Sequence, residues 1–122
     1  MSQKNIFTVI AAILFLQGIA FYFMGDQIMT QSFPDIMEPG HTALALLFEL
    51  PAALCIAIGL ITYANRTTPN VSWAFTVGSG AVLFVTLKHL LIDNIQVPIP
   101  AIAIQTLVAL AFAYSWSLQK KV

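Results

Sequence analysis

Residues 6–25 read IFTVIAAILFLQGIAFYFMG, a run of twenty with no charge between Lys4 and Asp26. A helix rises about 1.5 Å per residue, so this run would cross the roughly 30 Å hydrocarbon core of a bilayer. Three further runs share the property. One extends from His41 to Ala64 and is interrupted only by Glu49. Another extends from Val71 to Ile92, with Lys88 its one fixed charge. The last extends from Pro98 to Leu118, with no charge between Asp93 and Lys120. The breakers fall between them: Pro34, Pro39 and Gly40, then Pro69, then Pro98 and Pro100. Short connections between apolar spans place neighbours antiparallel. The predicted fold is therefore all-α, an integral membrane antiparallel four-helix bundle. It forms a single transmembrane domain over residues 1–122, with helices at about 6–25, 41–64, 71–92 and 98–118.

Composition points the same way. Apolar residues make up 59% of the 122 and charged residues 8%, against about 25% charged in an ordinary soluble domain. A small domain buries only about two-thirds of the surface its unfolded chain exposes, too little to hide this much apolar area. The bilayer is thus the expected solvent and first partner. Disordered chains are polar and charged, so disorder is excluded. Five Lys/Arg against five Asp/Glu, with no basic stripe, argue against nucleic acid. The single cysteine, Cys55, rules out an intrachain disulfide and the paired thiols of thiol-oxidising membrane enzymes. In its apolar run it reads as a small hydrophobe.

The charges set a topology. Lys4, Arg66, Lys120 and Lys121 fall on one side of four spans, and Asp26, Asp35, Glu38 and Asp93 on the other. The positive-inside rule then puts both termini and the 65–70 loop in the cytoplasm. The first apolar run is too long for a signal-peptide core of about 7–15 residues and reads as a retained anchor. The 26–40 segment mixes acids with Ile28, Met29, Phe33, Ile36 and Met37. It is either an interfacial cap over the outer mouth or a plain loop.

Polar groups inside the spans need partners, because hydrocarbon offers none. Glu49 lies about 12 Å below the outer start of its span, and Lys88 about 7 Å below the outer end of its own. His89 is adjacent to Lys88. Gln17 and Gln105 lie about 12 and 10 Å below the outer ends of theirs. Each span thus places a polar group in the outer third, which is how a ligand site in a bundle core would look. Opposite charge and similar depth predict an ion pair between Glu49 and Lys88. His89 and Asp93, four apart, share a helix face, so the carboxylate would orient the imidazole. The same residues also admit a purely structural reading, with the ion pair fixing helix register and the glutamines joining helices. Pro51 cannot donate to Leu47, which predicts a kink near Glu49. Gly78-Ser79-Gly80 predicts close helix approach. No P-loop, GxGxxG, zinc spacing or nucleophile–base pair is present.

The run Leu47-Phe48-Glu49-Leu50-Pro51-Ala52-Ala53, continuing to Gly59-Leu60-Ile61-Thr62 and Arg66, resembles the second helix of the DoxX-like superfamily. There an E-L-x-x-G-x-x-L-x-x-G-L-x-T-R pattern recurs. Leu14-Phe15-Leu16-Gln17-Gly18 is similar to that family's L-F-x-x-G opening, and Leu83-Phe84-Val85 through His89 to Asp93 resembles its F-x-x-H-x-x-x-D region. Ala53 stands where the pattern has a glycine, and Arg66 comes late. The resemblance implies a four-helix membrane fold and carries Glu49 and His89 across as candidate site residues. The family includes a small subunit of a thiosulfate:quinone oxidoreductase, redox-linked accessory proteins and a eukaryotic receptor-assembly chaperone.

Three functions are expected, in this order. The first is an accessory or assembly factor, or small subunit, of a complex in a bacterial cytoplasmic membrane. It would engage a membrane-protein partner or a second copy, or bind a lipophilic molecule such as a quinone or lipid at the outer-leaflet cluster of Glu49, Lys88, His89, Gln17, Gln105 and Asp93. No cofactor is required by the sequence, and no metal site is expected. The second is a proton-coupled small-molecule transporter, although the first span lacks an acid. The third is an enzyme modifying a lipid or quinone, with Glu49 or His89 as acid/base and Lys88 stabilising an anion.

Overall fold

The computed structural model describes residues 1–94, 97 and 99–120. The expected start of the fourth span at Pro98, and Lys121 of the basic terminus, lie outside them. The described residues fold into helices α1 (Gln3–Ser32), α2 (Gly40–Leu47), α3 (Glu49–Ala64), α4 (Ser72–Leu91) and α5 (Ile99–Gln119). With α2 and α3 taken as one bent span, Gly40–Ala64, four helices of 30, 25, 20 and 21 residues are each long and apolar enough to cross a membrane.

The helix ends follow from local chemistry. Ser2 caps α1, its hydroxyl accepting from the Asn5 N–H at 3.4 Å. At 30 residues α1 is about 45 Å long, well beyond a hydrocarbon core. Residues 26–32 thus continue the helix, and the connection expected over 26–40 shrinks to 33–39. The Phe33 N–H closes the last turn on the Met29 carbonyl at 2.9 Å, and Pro34 follows. Phe48 separates α2 from α3, its N–H turned to Ala45 and Leu46. Three residues on, Pro51 has no N–H for the Leu47 carbonyl, so the break lies where the missing donor leaves it. Asn70 (φ 56°) precedes α4 and Asn94 (φ 54°) follows it. Asparagine tolerates this left-handed conformation better than most residues.

The four spans pack as two pairs. α1 lies along α3, and α4 along α5. Glycines bring the first pair together: Gly18 faces the Ala52 carbonyl and Ile56, and Gly59 faces Ala11 and Phe15. The expected close approach at Gly78 and Gly80 is not formed, because a Cβ at either would meet nothing within 4 Å. α4 turns both positions to open space. Small residues shorten an approach only where a neighbouring helix is present.

The pairs join at one end. Ile6, Phe7 and Ile10 of α1 pack on Val108 and Phe112 of α5, with Phe75 of α4 against them. The three phenyl rings lie 5.0–5.2 Å apart between centroids, within the range aromatic pairs prefer. Beside them the buried hydroxyls of Ser72 and Ser115 are 2.9 Å apart. Gln3 donates to the Thr68 carbonyl at 2.8 Å and accepts from Gln119 at 2.5 Å. The start of α1, the 65–71 loop and the end of α5 therefore share one closed end. Arg66 stacks on Tyr63 and Lys120 on Trp116 there, at 3.8 and 4.1 Å. Outward faces are apolar, with Leu16, Phe23, Phe84 and Leu110 among many large exposed side chains, a surface suited to lipid rather than water.

Candidate binding cavity

Because the pairs meet only at one end, the space between them is not filled. It forms a cavity of about 520 Å³, within the roughly 300–1,000 Å³ typical of small-molecule sites. Each span contributes one face at helical spacing. α1 supplies Leu14, Gln17 and Phe21, and α3 supplies Pro51, Cys55 and Ile58. α4 supplies Phe75, Gly78, Ser79 and Val82, and α5 supplies Ile104, Gln105, Val108 and Phe112. Phe75 and Phe112, which belong to the joining cluster, bound the cavity at the closed end. No lining residue is charged.

Its polar groups are few and unequally satisfied. The Ser79 hydroxyl donates back to its own helix, to the Phe75 carbonyl at 2.8 Å and the Thr76 carbonyl at 3.2 Å. Gln105 Oε1 is buried with no hydrogen-bond partner, alone in this among the side-chain atoms of the described residues. Leaving such a group unsatisfied costs about 1–3 kcal/mol. A retained orphan of this kind needs an explanation, and a ligand is one. Cys55 is half-buried and lines the cavity rather than sitting deep in a core.

The six residues expected to form one outer cluster fall in three places. Gln17 and Gln105 both line the cavity. Lys88, His89 and Asp93 gather at the end of α4: Lys88 Nζ lies 2.8 Å from Asp93 Oδ2, and His89 Nδ1 lies 2.7 Å from the same oxygen. The chain makes this possible by turning back over the helix end, where the N–H groups of Ile92 and Asp93 both bond the Lys88 carbonyl at 2.8 and 3.2 Å. The lysine beside it, and to a lesser degree the histidine, hold the exposed Asp93 carboxyl below the ordinary carboxylate range.

The expected Glu49–Lys88 ion pair is therefore corrected. The carboxylate of Lys88 is Asp93, five residues on, and α3 and α4 do not approach each other. Glu49 is exposed and borders a separate surface groove with Tyr22, Asp26, Glu38, His41 and Thr42. There His41 Nδ1 lies 3.4 Å from Asp26 and 3.6 Å from Glu38, and its Nε2 lies 2.9 Å from the Thr30 hydroxyl. Thr42 donates to Glu38 at 2.6 Å. His41 was missed as an organising residue. The available signal was a histidine opening a span directly after the acidic 26–40 segment. Among the described residues no three His, Cys, Asp or Glu side chains are arranged to hold a metal ion.

No family model, curated protein or solved structure matches this chain. The cavity and its two glutamines are what the chain itself offers as a site.

Proposed function

We propose that this chain is an integral membrane accessory protein of DoxX-like type, or a small subunit of a membrane complex, that holds a lipophilic molecule between its two helix pairs. The proposed setting is a bacterial cytoplasmic membrane with the closed end, and so both termini, on the cytoplasmic side. One observation carries the reading: an uncharged cavity of about 520 Å³ walled by all four spans and containing a buried, unsatisfied amide oxygen. A quinone in its reduced, hydroxyl-bearing form or a lipid with a free hydroxyl is the ligand class of matching polarity, since the orphan oxygen needs a donor. The resemblance of the Leu47–Arg66 stretch and of the Leu14–Gly18 stretch to DoxX-like helices supports the accessory role. Transport by a membrane carboxylate is disfavoured, since Glu49 stands outside the cavity.

Gentle extraction from the native membrane followed by native mass spectrometry tests this. The expected result is a discrete small-molecule adduct on the full chain that is lost in Gly78→Phe, which fills the cavity from α4. Bare protein of unaltered mass in both would count against a ligand and send the search to polypeptide partners.

A further inference from the structure

We infer that the cavity selects a neutral, largely apolar molecule bearing a hydroxyl or equivalent hydrogen-bond donor, which it donates to Gln105 Oε1. This rests on the cavity being a ligand site, as proposed above, and adds the chemistry of the occupant. Charge is excluded first. Every lining side chain is uncharged, and an ion brought into such surroundings would lose its hydration with nothing to replace it. The donor follows from Gln105. Its Oε1 is buried, lacks a partner and receives nothing from Gln17, which lines the same space. Ser79 is committed to carbonyls of its own helix. Water is a poor substitute, because a stable internal water needs two to four polar partners and this site offers few. A molecule with one donor and an apolar body satisfies the oxygen and fills the remaining space.

Such a molecule, dissolved in the bilayer, also has a way in. α1 packs along α3, α4 along α5, and α1 meets α5, but α3 and α4 make no close backbone approach although a short loop joins them. That flank of the cavity lacks a packed helix pair, and Gly78 leaves room on the α4 wall, with nothing within 4 Å of the place its Cβ would take. The occupant can thus exchange with the membrane without crossing water.

Cys55 provides a built-in reporter, being the one cysteine of the chain and part of the cavity wall. The full chain is reconstituted in phosphatidylcholine vesicles and labelled with a membrane-permeant maleimide, with 1-hexadecanol or hexadecyl methyl ether added to the bilayer. The ether can accept but not donate. The expected result is that the alcohol slows Cys55 labelling at an about tenfold lower membrane concentration than the ether, a difference of one hydrogen bond. In Gln105→Leu the two probes should become equal. Equal protection in the unmodified chain would overturn the inference and leave the cavity standing as an unselective lipophile site. Protection by neither probe would overturn both. The alcohol–ether comparison in the unmodified chain needs no variant, so misfolding of Gln105→Leu does not blunt the test.

Discussion

The Ala52 carbonyl oxygen lies 2.8 Å from the point a Cβ on Gly18 would occupy, and Ile56 Cγ1 lies 2.7 Å from it. Backbone cannot step aside as a side chain can, so α1 and α3 touch here at the limit of approach. Gly18→Ala is expected to force the pair apart and destabilise the chain by about 1–3 kcal/mol, as overpacking usually does. Gly78→Ala, with open space around it, should leave stability unchanged within a few tenths of a kcal/mol apart from a helix-propensity gain. Unfolding of the two variants in mixed micelles would check the contrast. Equal effects would mean that Gly18 is not a close-packing position.

The closed end depends on a second short relationship. Ser72 and Ser115 are fully buried and share one hydrogen bond at 2.9 Å. Removing one hydroxyl orphans the other, so Ser72→Ala and Ser115→Ala should each cost about 1–3 kcal/mol. The double variant should cost less than the sum, with a coupling of about 0.6–1.7 kcal/mol if the bond has the strength usual between membrane helices. A double-mutant cycle by denaturant unfolding measures it, and strict additivity would show that the hydroxyls act independently.

Asp93 makes the end of α4 sensitive to acid. Its carboxyl is held below the ordinary range by Lys88 first and His89 second. A depressed carboxyl stabilises the folded form fully above its unfolded pKa, and that contribution fades as pH falls through the folded value. Hydrogen-exchange protection of the Leu91 and Ile92 amides should therefore hold from neutrality down to the ordinary carboxylate range and decline only below it. Asp93→Asn should remove the step and lower protection at neutral pH. Added salt should shrink the effect, because the group is exposed. A decline already complete near pH 6 would point to histidine instead of Asp93.

Which of these features could be read in advance follows from the range of the interactions. The four apolar helices were legible because hydropathy over twenty residues is a local property, as residues 6–25 show. The distortion near Glu49 was legible because Pro51 removes its own donor. The Glu49–Lys88 pairing was not, since similar depth in two spans says nothing about azimuth. Lys88 found Asp93 through a chain reversal at the helix end, and Glu49 faces a groove shared with residues of α1 and α2. Gln17 and Gln105 line one cavity because their helix faces converge, and depth along a span does not encode that. The cavity itself has no sequence signal. It arises because Gly18 and Gly59 draw α1 onto α3 while Gly78 and Gly80 draw nothing onto α4, a difference set by the partner helices and not by the glycines.

Cys55 distinguishes an open cavity from a closed core without any ligand. A half-buried thiol on a wall reached through the α3–α4 flank should react with a small apolar maleimide dissolved in the bilayer. It should resist a sulfonated reagent supplied only in the water at the closed end, because that end is sealed by Phe7, Phe75 and Phe112. Intact-mass spectra of vesicle-reconstituted protein would show one added label in the first case and none in the second. Val82→Trp, which enlarges a side chain that lines the cavity from α4, should slow the apolar reagent at least about tenfold, a barrier increase of roughly 1.4 kcal/mol. Rapid labelling by the sulfonated reagent would instead place Cys55 in contact with water and remove the basis for reading the cavity as a site for lipophilic molecules.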